Sequence, residues 1–168
     1  GGPCAVCINS TIVDLPRDDQ PPRILRPGHI TPEQIAAVMG VQLQAPTTQK
    51  DVATPRVSGS LDAHYAPRTP MRVVAAAQLM AVLAELNRAG KSVGLLAHTA
   101  VSASCPAHAW CLLPDEPEGF ARGFYAALRE LDQRDNDLIV VEAIPAGAGW
   151  MAVADRLRRA ACGAAESA

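Results

Sequence analysis

From Met71 onward the chain switches repeatedly between two hydrophobic periods, and few folds accept that rhythm. Met71 to Ala75 reads as a strand; Leu79, Val82, Leu83 and Leu86 then recur at helical spacing until Gly90, and Ser92 to Ala97 reads as a strand again. Ala109 to Leu113 is the next strand. Asp115 and Glu118 offer a capping box to a helix whose Phe120, Phe124, Leu128 and Leu131 share one face. Leu138 to Glu142 is another strand, and Trp150 to Ala161 a closing helix. Its basic end, Arg156, Arg158 and Arg159, suits the negative pole of the helix dipole and reads as a solvated face. Apolar strands alternating with helices at this interval predict an α/β fold, a small Rossmann-like sheet with helices on its faces. Residues 71–168 are expected to form a domain of their own.

The first 70 residues are organised differently. "GGPCAVCINSTIVDL" runs from a Gly-Gly turn into a β-rich stretch, Ala5 to Leu15, as though a strand had been entered from a sheet whose other members lie elsewhere. A short strand, Arg23-Ile24-Leu25, ends in "RPGH". A well-signalled helix follows, with Thr31 as N-cap, Pro32 in the first turn, Gln34 closing a capping box, Ile35, Val38 and Met39 on one face, and Gly40 as stop. Residues 1–40 are read as the end of one domain, and residues 41–70, rich in Pro, Thr, Ser and Gln without period, as a linker.

Composition removes several function classes. The chain has 168 residues and a net charge of −2, so nothing in its overall charge favours nucleic acid or an acidic membrane surface. No apolar run reaches the roughly 18 residues of a membrane span, which leaves the cytoplasm as the expected compartment. Five cysteines are an odd number for a disulfide framework, and Cys4-x2-Cys7 with Cys105, His108 and Cys111 lacks the repeated knuckle of structural zinc. No metal site is expected in this chain. Gly147-Ala148-Gly149 is a lone GxG, better read as a strand-to-helix turn than as a nucleotide loop.

The concentrated polar features lie early in the chain. Ser10 and Thr11 sit between apolar neighbours, where a hydroxyl faces either a ligand or a backbone carbonyl. Arg26, held before the rigid Pro27-Gly28 turn, suits bidentate contact with phosphate or carboxylate, or a plain salt bridge. The segment "SGSLDAHYAPRTP" puts His64 and Tyr65 side by side inside the linker.

Together "INSTIVDL", "ILRPGHIT", "SGSLDAHYAPRTP" and "GAGWMAVADRLRRAA" resemble, in order and spacing, the C-terminal portion of the long, two-domain threonylcarbamoyl-AMP synthases, in which a YrdC-like catalytic domain is joined by a linker to an α/β domain. The resemblance implies condensation of L-threonine, bicarbonate and ATP, with Mg²⁺ in the complete enzyme, to threonylcarbamoyl-AMP and pyrophosphate. The product serves the threonylcarbamoyladenosine modification of tRNA, through a downstream transferase machinery.

Carried over residue by residue, the resemblance gives Ser10 to L-threonine and Arg26, His64 and Tyr65 to ATP, with the linker as a lid; it assigns no catalytic side chain here. Asn9 stands where the family usually has glutamate, and Cys7 where it has glycine. The chain is expected to be part of a longer enzyme and inactive alone. A non-catalytic binding or regulatory α/β module is the alternative, and direct RNA binding through the α-helical arginines a weaker one.

Overall fold

The computed structural model describes residues 10–16, 20–43, 66–99, 101–102 and 104–165. Two short antiparallel strands, β1 (Ile12–Asp14) and β2 (Arg23–Arg26), come first, followed by α1 (Pro32–Met39). Further along the chain come β3 (Met71–Val74), α2 (Ala76–Arg88), β4 (Val93–Ala97), β5 (Ala109–Leu112), α3 (Pro117–Asp132) and β6 (Leu138–Glu142). A 3₁₀ turn at Ala148–Trp150 then leads into α4 (Met151–Ala165). The second sheet has the order β3-β6-β4-β5, and all its strands are parallel. The expected α/β architecture is therefore the one observed.

Both faces of the central strands are covered, which is why they are apolar throughout. Val93, Leu95 and Ala97 of β4 and Val140 of β6 pack against Leu79 and Leu83 of α2. The alternate residues, Leu96, Ile139 and Val141, turn to the other side and meet Phe120, Phe124 and Leu131 of α3 and Val153 and Leu157 of α4. Phe120 and Phe124 stack at 5.8 Å between ring centroids. Truncating either ring to alanine in such a core costs about 3–5 kcal/mol. Among the described residues, no helix is long and apolar enough to cross a membrane.

Three local expectations are corrected. The N-cap of α3 is Glu116, whose carboxylate accepts from Gly119 N–H at 2.7 Å, and not the Asp115/Glu118 pair. Pro117 explains the shift: it has no N–H to be capped and fixes the first helical φ, so the residue before it takes the cap position. Asp115, released from capping, accepts from His98 Nδ1 at 2.8 Å. Next, α4 runs on to Ala165, so Arg156, Arg158 and Arg159 lie inside the helix rather than in its last turn. Arg156 and Arg159 are buried, and only Arg158 is exposed. Third, Arg26 is the last residue of β2 and does not follow it.

α1 has the capping box its sequence announces, with Gln34 N–H donating to Thr31 Oγ1 at 3.3 Å and Thr31 N–H to Gln34 Oε1 at 2.9 Å. None of its residues is buried, and Val38 is 88% exposed.

At the carboxyl edge of the sheet Glu142 closes β6 with a fully buried carboxylate. Its Oε2 accepts from the amides of His98 and Thr99 at 2.9 and 3.0 Å, and Oε1 from the Thr99 hydroxyl at 2.7 Å. Desolvation pushes this carboxyl upward, but the hydrogen bonds from Thr99 and His98 and the neighbouring imidazole outweigh it and hold the group below its ordinary value. A folded value below the unfolded one means that the ionised form adds stability, complete above the unfolded value of 4.5 and lost as pH falls through the folded value.

Thr99→Val removes the hydroxyl donor. It is expected to cost about 1.5–3 kcal/mol at neutral pH, with the difference from the parent shrinking at about pH 3, as read from urea denaturation at both pH values. Gly94→Ala tests the packing beneath α3, because an added methyl would lie 2.8 Å from Asn136 Nδ2 and 3.3 Å from Leu131 Cδ2. A loss of about 1–3 kcal/mol, seen as a lower urea midpoint at unchanged m-value, is expected.

Candidate functional site

The β1–β2 pairing brings two of the sequence-predicted site residues together. Ile12 lies opposite Arg26, with a register shift between Ile12 and Val13, so Ser10 emerges beside the end of β2. The Arg26 guanidinium is buried there and donates from Nε and Nη2 to the Ser10 carbonyl oxygen at 3.2 and 3.0 Å. The contact runs through the Ser10 main chain and leaves residue 10 exposed. Thr11 uses its hydroxyl on a backbone carbonyl, that of Ile30, at 2.7 Å. Arg23 Nε meets Asp14 Oδ2 at 2.8 Å and ties the two strands a second time. His64 and Tyr65 lie outside the described residues.

Arg26 is held below its usual guanidinium range by burial first, then by Arg156 and Arg159, with Asp155 acting in the opposite sense. Residues of α4 therefore set the charge around an arginine of the N-terminal strands. Sequence reading missed this group. The i, i+4 spacing of Asp155 and Arg159 was a readable signal for the ion pair, but nothing local foretold that the pair would be buried.

Next to Arg26 along the chain, a cleft of about 340 Å³ opens between the two parts of the structure. Gly28, His29, Thr31 and Gln34 line one wall. The other wall is built from the start of α3 (Glu116, Pro117) and the start of α4 (Gly149, Ala152, Val153). The second wall belongs to the carboxyl edge of the parallel sheet. There β4 runs on toward β5 while β6 runs back to α4, which packs against β3. Open α/β sheets receive ligands where adjacent strands lead off in opposite directions.

Immediately inside that edge the space is filled by the protein's own groups. His98 Nδ1 faces Asp115 and Nε2 faces the Ala143 carbonyl at 3.2 Å. Phe120 and Trp150 enclose the ring at centroid distances of 6.1 and 5.9 Å. Among the described residues, no group of three or more His, Cys, Asp or Glu side chains is placed to hold a metal ion.

Comparison with known proteins gives this arrangement its context. Two relatives named threonylcarbamoyl-AMP synthase align over 167 residues at 31% identity. That of Pyrococcus abyssi (strain GE5 / Orsay) is matched over 95% of this chain and 47% of its own length, and that of Bacillus subtilis (strain 168) over 97% and 48%. The chain thus spans just under half the length of these relatives.

Among solved structures, P. abyssi Sua5 complexed with L-threonine superposes with a TM-score of 0.76 at 29% identity, covering 94% of this chain and 46% of that one. A P. abyssi Sua5 variant with an adjacent histidine and tyrosine both changed to alanine gives a TM-score of 0.70 at 26% identity, covering 95% and 46%. Residues 30–162 match the family model of the threonylcarbamoyl-AMP synthase C-terminal domain, and the chain belongs to that family.

Proposed function

We propose that this chain is the C-terminal portion of an L-threonylcarbamoyladenylate synthase, a nucleotidyltransferase of the cytoplasm whose product is used to modify tRNA. The observation that carries the reading is the family match across residues 30–162. In the reaction, the amine of L-threonine and bicarbonate give a carbamate with loss of water. A carbamate oxygen then attacks the α-phosphorus of ATP, a P–O bond forms, and pyrophosphate leaves with the electrons of the broken one.

The chemistry calls for cations near the phosphates and for exclusion of water from a labile carbamate. In this proposal Arg26 meets the nucleotide phosphates and Ser10 holds L-threonine. That role for Ser10 is supported by the likeness to a relative solved with L-threonine. His64 and Tyr65 close over the nucleotide; a relative was solved with an adjacent His-Tyr pair replaced, which makes the pair a natural target here.

The test is formation of threonylcarbamoyl-AMP from L-threonine, bicarbonate and ATP with Mg²⁺, by the polypeptide that joins this chain to a segment equivalent to the remaining half of its relatives. Activity is expected there and not from the 168 residues alone. An inactive joined polypeptide overturns the reading. Arg26→Ala should lower kcat/KM by about a hundredfold or more, and Ser10→Ala should raise the KM for L-threonine by about tenfold with a smaller effect on that for ATP.

A further inference from the structure

β5 ends the parallel sheet, and β4 is its one strand partner among the described residues. Its other side is open. Leu113 N–H donates to the Ala97 carbonyl at 2.9 Å, and because direction alternates along a strand, the amides and carbonyls of Trp110 and Leu112 point away from β4. Edges of this kind are usually blunted by Lys, Pro or a bulge. β5 reads Ala-Trp-Cys-Leu, keeps unbroken register against β4, and carries none of these devices.

The side chains of the same two residues are also uncovered. Trp110 and Leu112 pair in register with Leu95 and Ala97, which are fully buried beneath α2, yet they stand 54% and 48% exposed on that face of the sheet. α2 packs over β3 and β4, and Val101, Cys105 and Ala107 fill in beside it, leaving the outer strand bare. On the opposite face Cys111 lies under α3 with Glu130 and Arg134 as neighbours: burial and Glu130 push its thiol up, and Arg134 acts in the other sense. Glu130 and Arg134 form an ion pair at 2.6 Å, and each is about half exposed.

We propose that β5 is the interface with a second copy of this chain, the two strands pairing antiparallel about a twofold axis at Cys111 into one continuous sheet. That register sets Trp110 of each copy opposite Leu112 of the other, so their outward N–H and C=O groups bond in both halves while aromatic and aliphatic side chains pack on the bare face. Charge complementarity favours this occupant. The axis passes beside Glu130 and Arg134, so each copy brings its arginine to the other's glutamate, and His108, just before β5, comes beside Asp115 of the other copy. An antiparallel pair is isologous and closed, whereas a parallel pair would leave a free edge and continue to a fibre. β5 is short and its contact area small beside the roughly 800 Å² per partner of a stable complex, so a dissociation constant of about micromolar order or weaker is expected. The pairing needs no substrate and stands whether or not threonylcarbamoyl-AMP is made.

Sedimentation equilibrium of the full 168-residue chain, from about 1 to 200 µM, should show a monomer–dimer equilibrium and nothing larger. Trp110→Glu and Leu112→Lys, at exposed positions and with unchanged circular dichroism, should each weaken association by about tenfold or more. Val38→Lys, at an exposed apolar residue of α1, should change it by less than about twofold. Glu130→Arg and Arg134→Glu should each lose self-association, and an equimolar mixture of the two should recover it, because the like charges of one variant then face their opposites. A chain that stays monomeric over the whole range overturns the proposal. So do open-ended oligomers, an equal loss in Val38→Lys, or a mixture that associates no better than its components. Dimers that vanish when a segment equivalent to the remaining half of the relatives is joined to the chain overturn it too, since that half is then what covers β5.

Discussion

Everything in the α/β part depends on β4 and β6 being a parallel pair buried on both faces. Such a pair forms no local hairpin, so each strand must be reached by a crossover, and each face must be covered by the helix or loop that makes the crossing. α2 covers one face and α3 with α4 the other. Once that is fixed, all strand ends with the same sense lie along one edge, and the starts of α3 and α4 come to the same side. The cleft wall formed by Glu116, Pro117, Gly149 and Val153 follows from the topology of the sheet.

The price of parallel pairing is a carboxyl edge with backbone amides to satisfy, and Glu142 meets it from within. Its buried carboxylate gathers two amides of the adjoining strand end and one hydroxyl, doing for β4 what a bound anion does at many such edges. Alongside, α4 brings two buried guanidiniums and the single Asp155 carboxylate toward a strand that already ends in Arg26.

Element type and order in the α/β part were legible because apolar strands and amphipathic helices have distinct periods, and Phe120, Phe124, Leu128 and Leu131 of α3 fall on the face they were read to share. The cap of α3 was misread for a local reason: Asp115 and Glu118 have capping-box spacing, but Pro117 moves the cap by one residue and sends Asp115 to a histidine 17 positions away. The arginines of α4 were misread for a non-local one. Charge pattern alone cannot distinguish a solvated stripe from a seam, since burial of Arg156 and Arg159 depends on which element packs against that face. Thr11 illustrates the same limit. Two fates for its hydroxyl were open in sequence, and the Ile30 carbonyl, 19 residues away, decided between them.

Residues 66–70 show how the chain enters the α/β part. Pro67 and Thr69 are buried against the α/β part, Thr69 N–H donates to Asp132 Oδ1 at 2.8 Å, and the Pro70 carbonyl accepts from Ile139 N–H at 2.8 Å. Burial pushes Asp132 up, but the Thr69 amide and hydroxyl and Arg68 more than offset it, so the carboxylate is ionised at neutral pH and holds the chain firmly. Tyr65 is therefore one residue from a segment fixed to the end of α3. If His64 and Tyr65 close over a nucleotide, as proposed, the position of α3 sets the point from which they must reach. The α/β part then contributes to that site by anchoring the segment from which the pair extends.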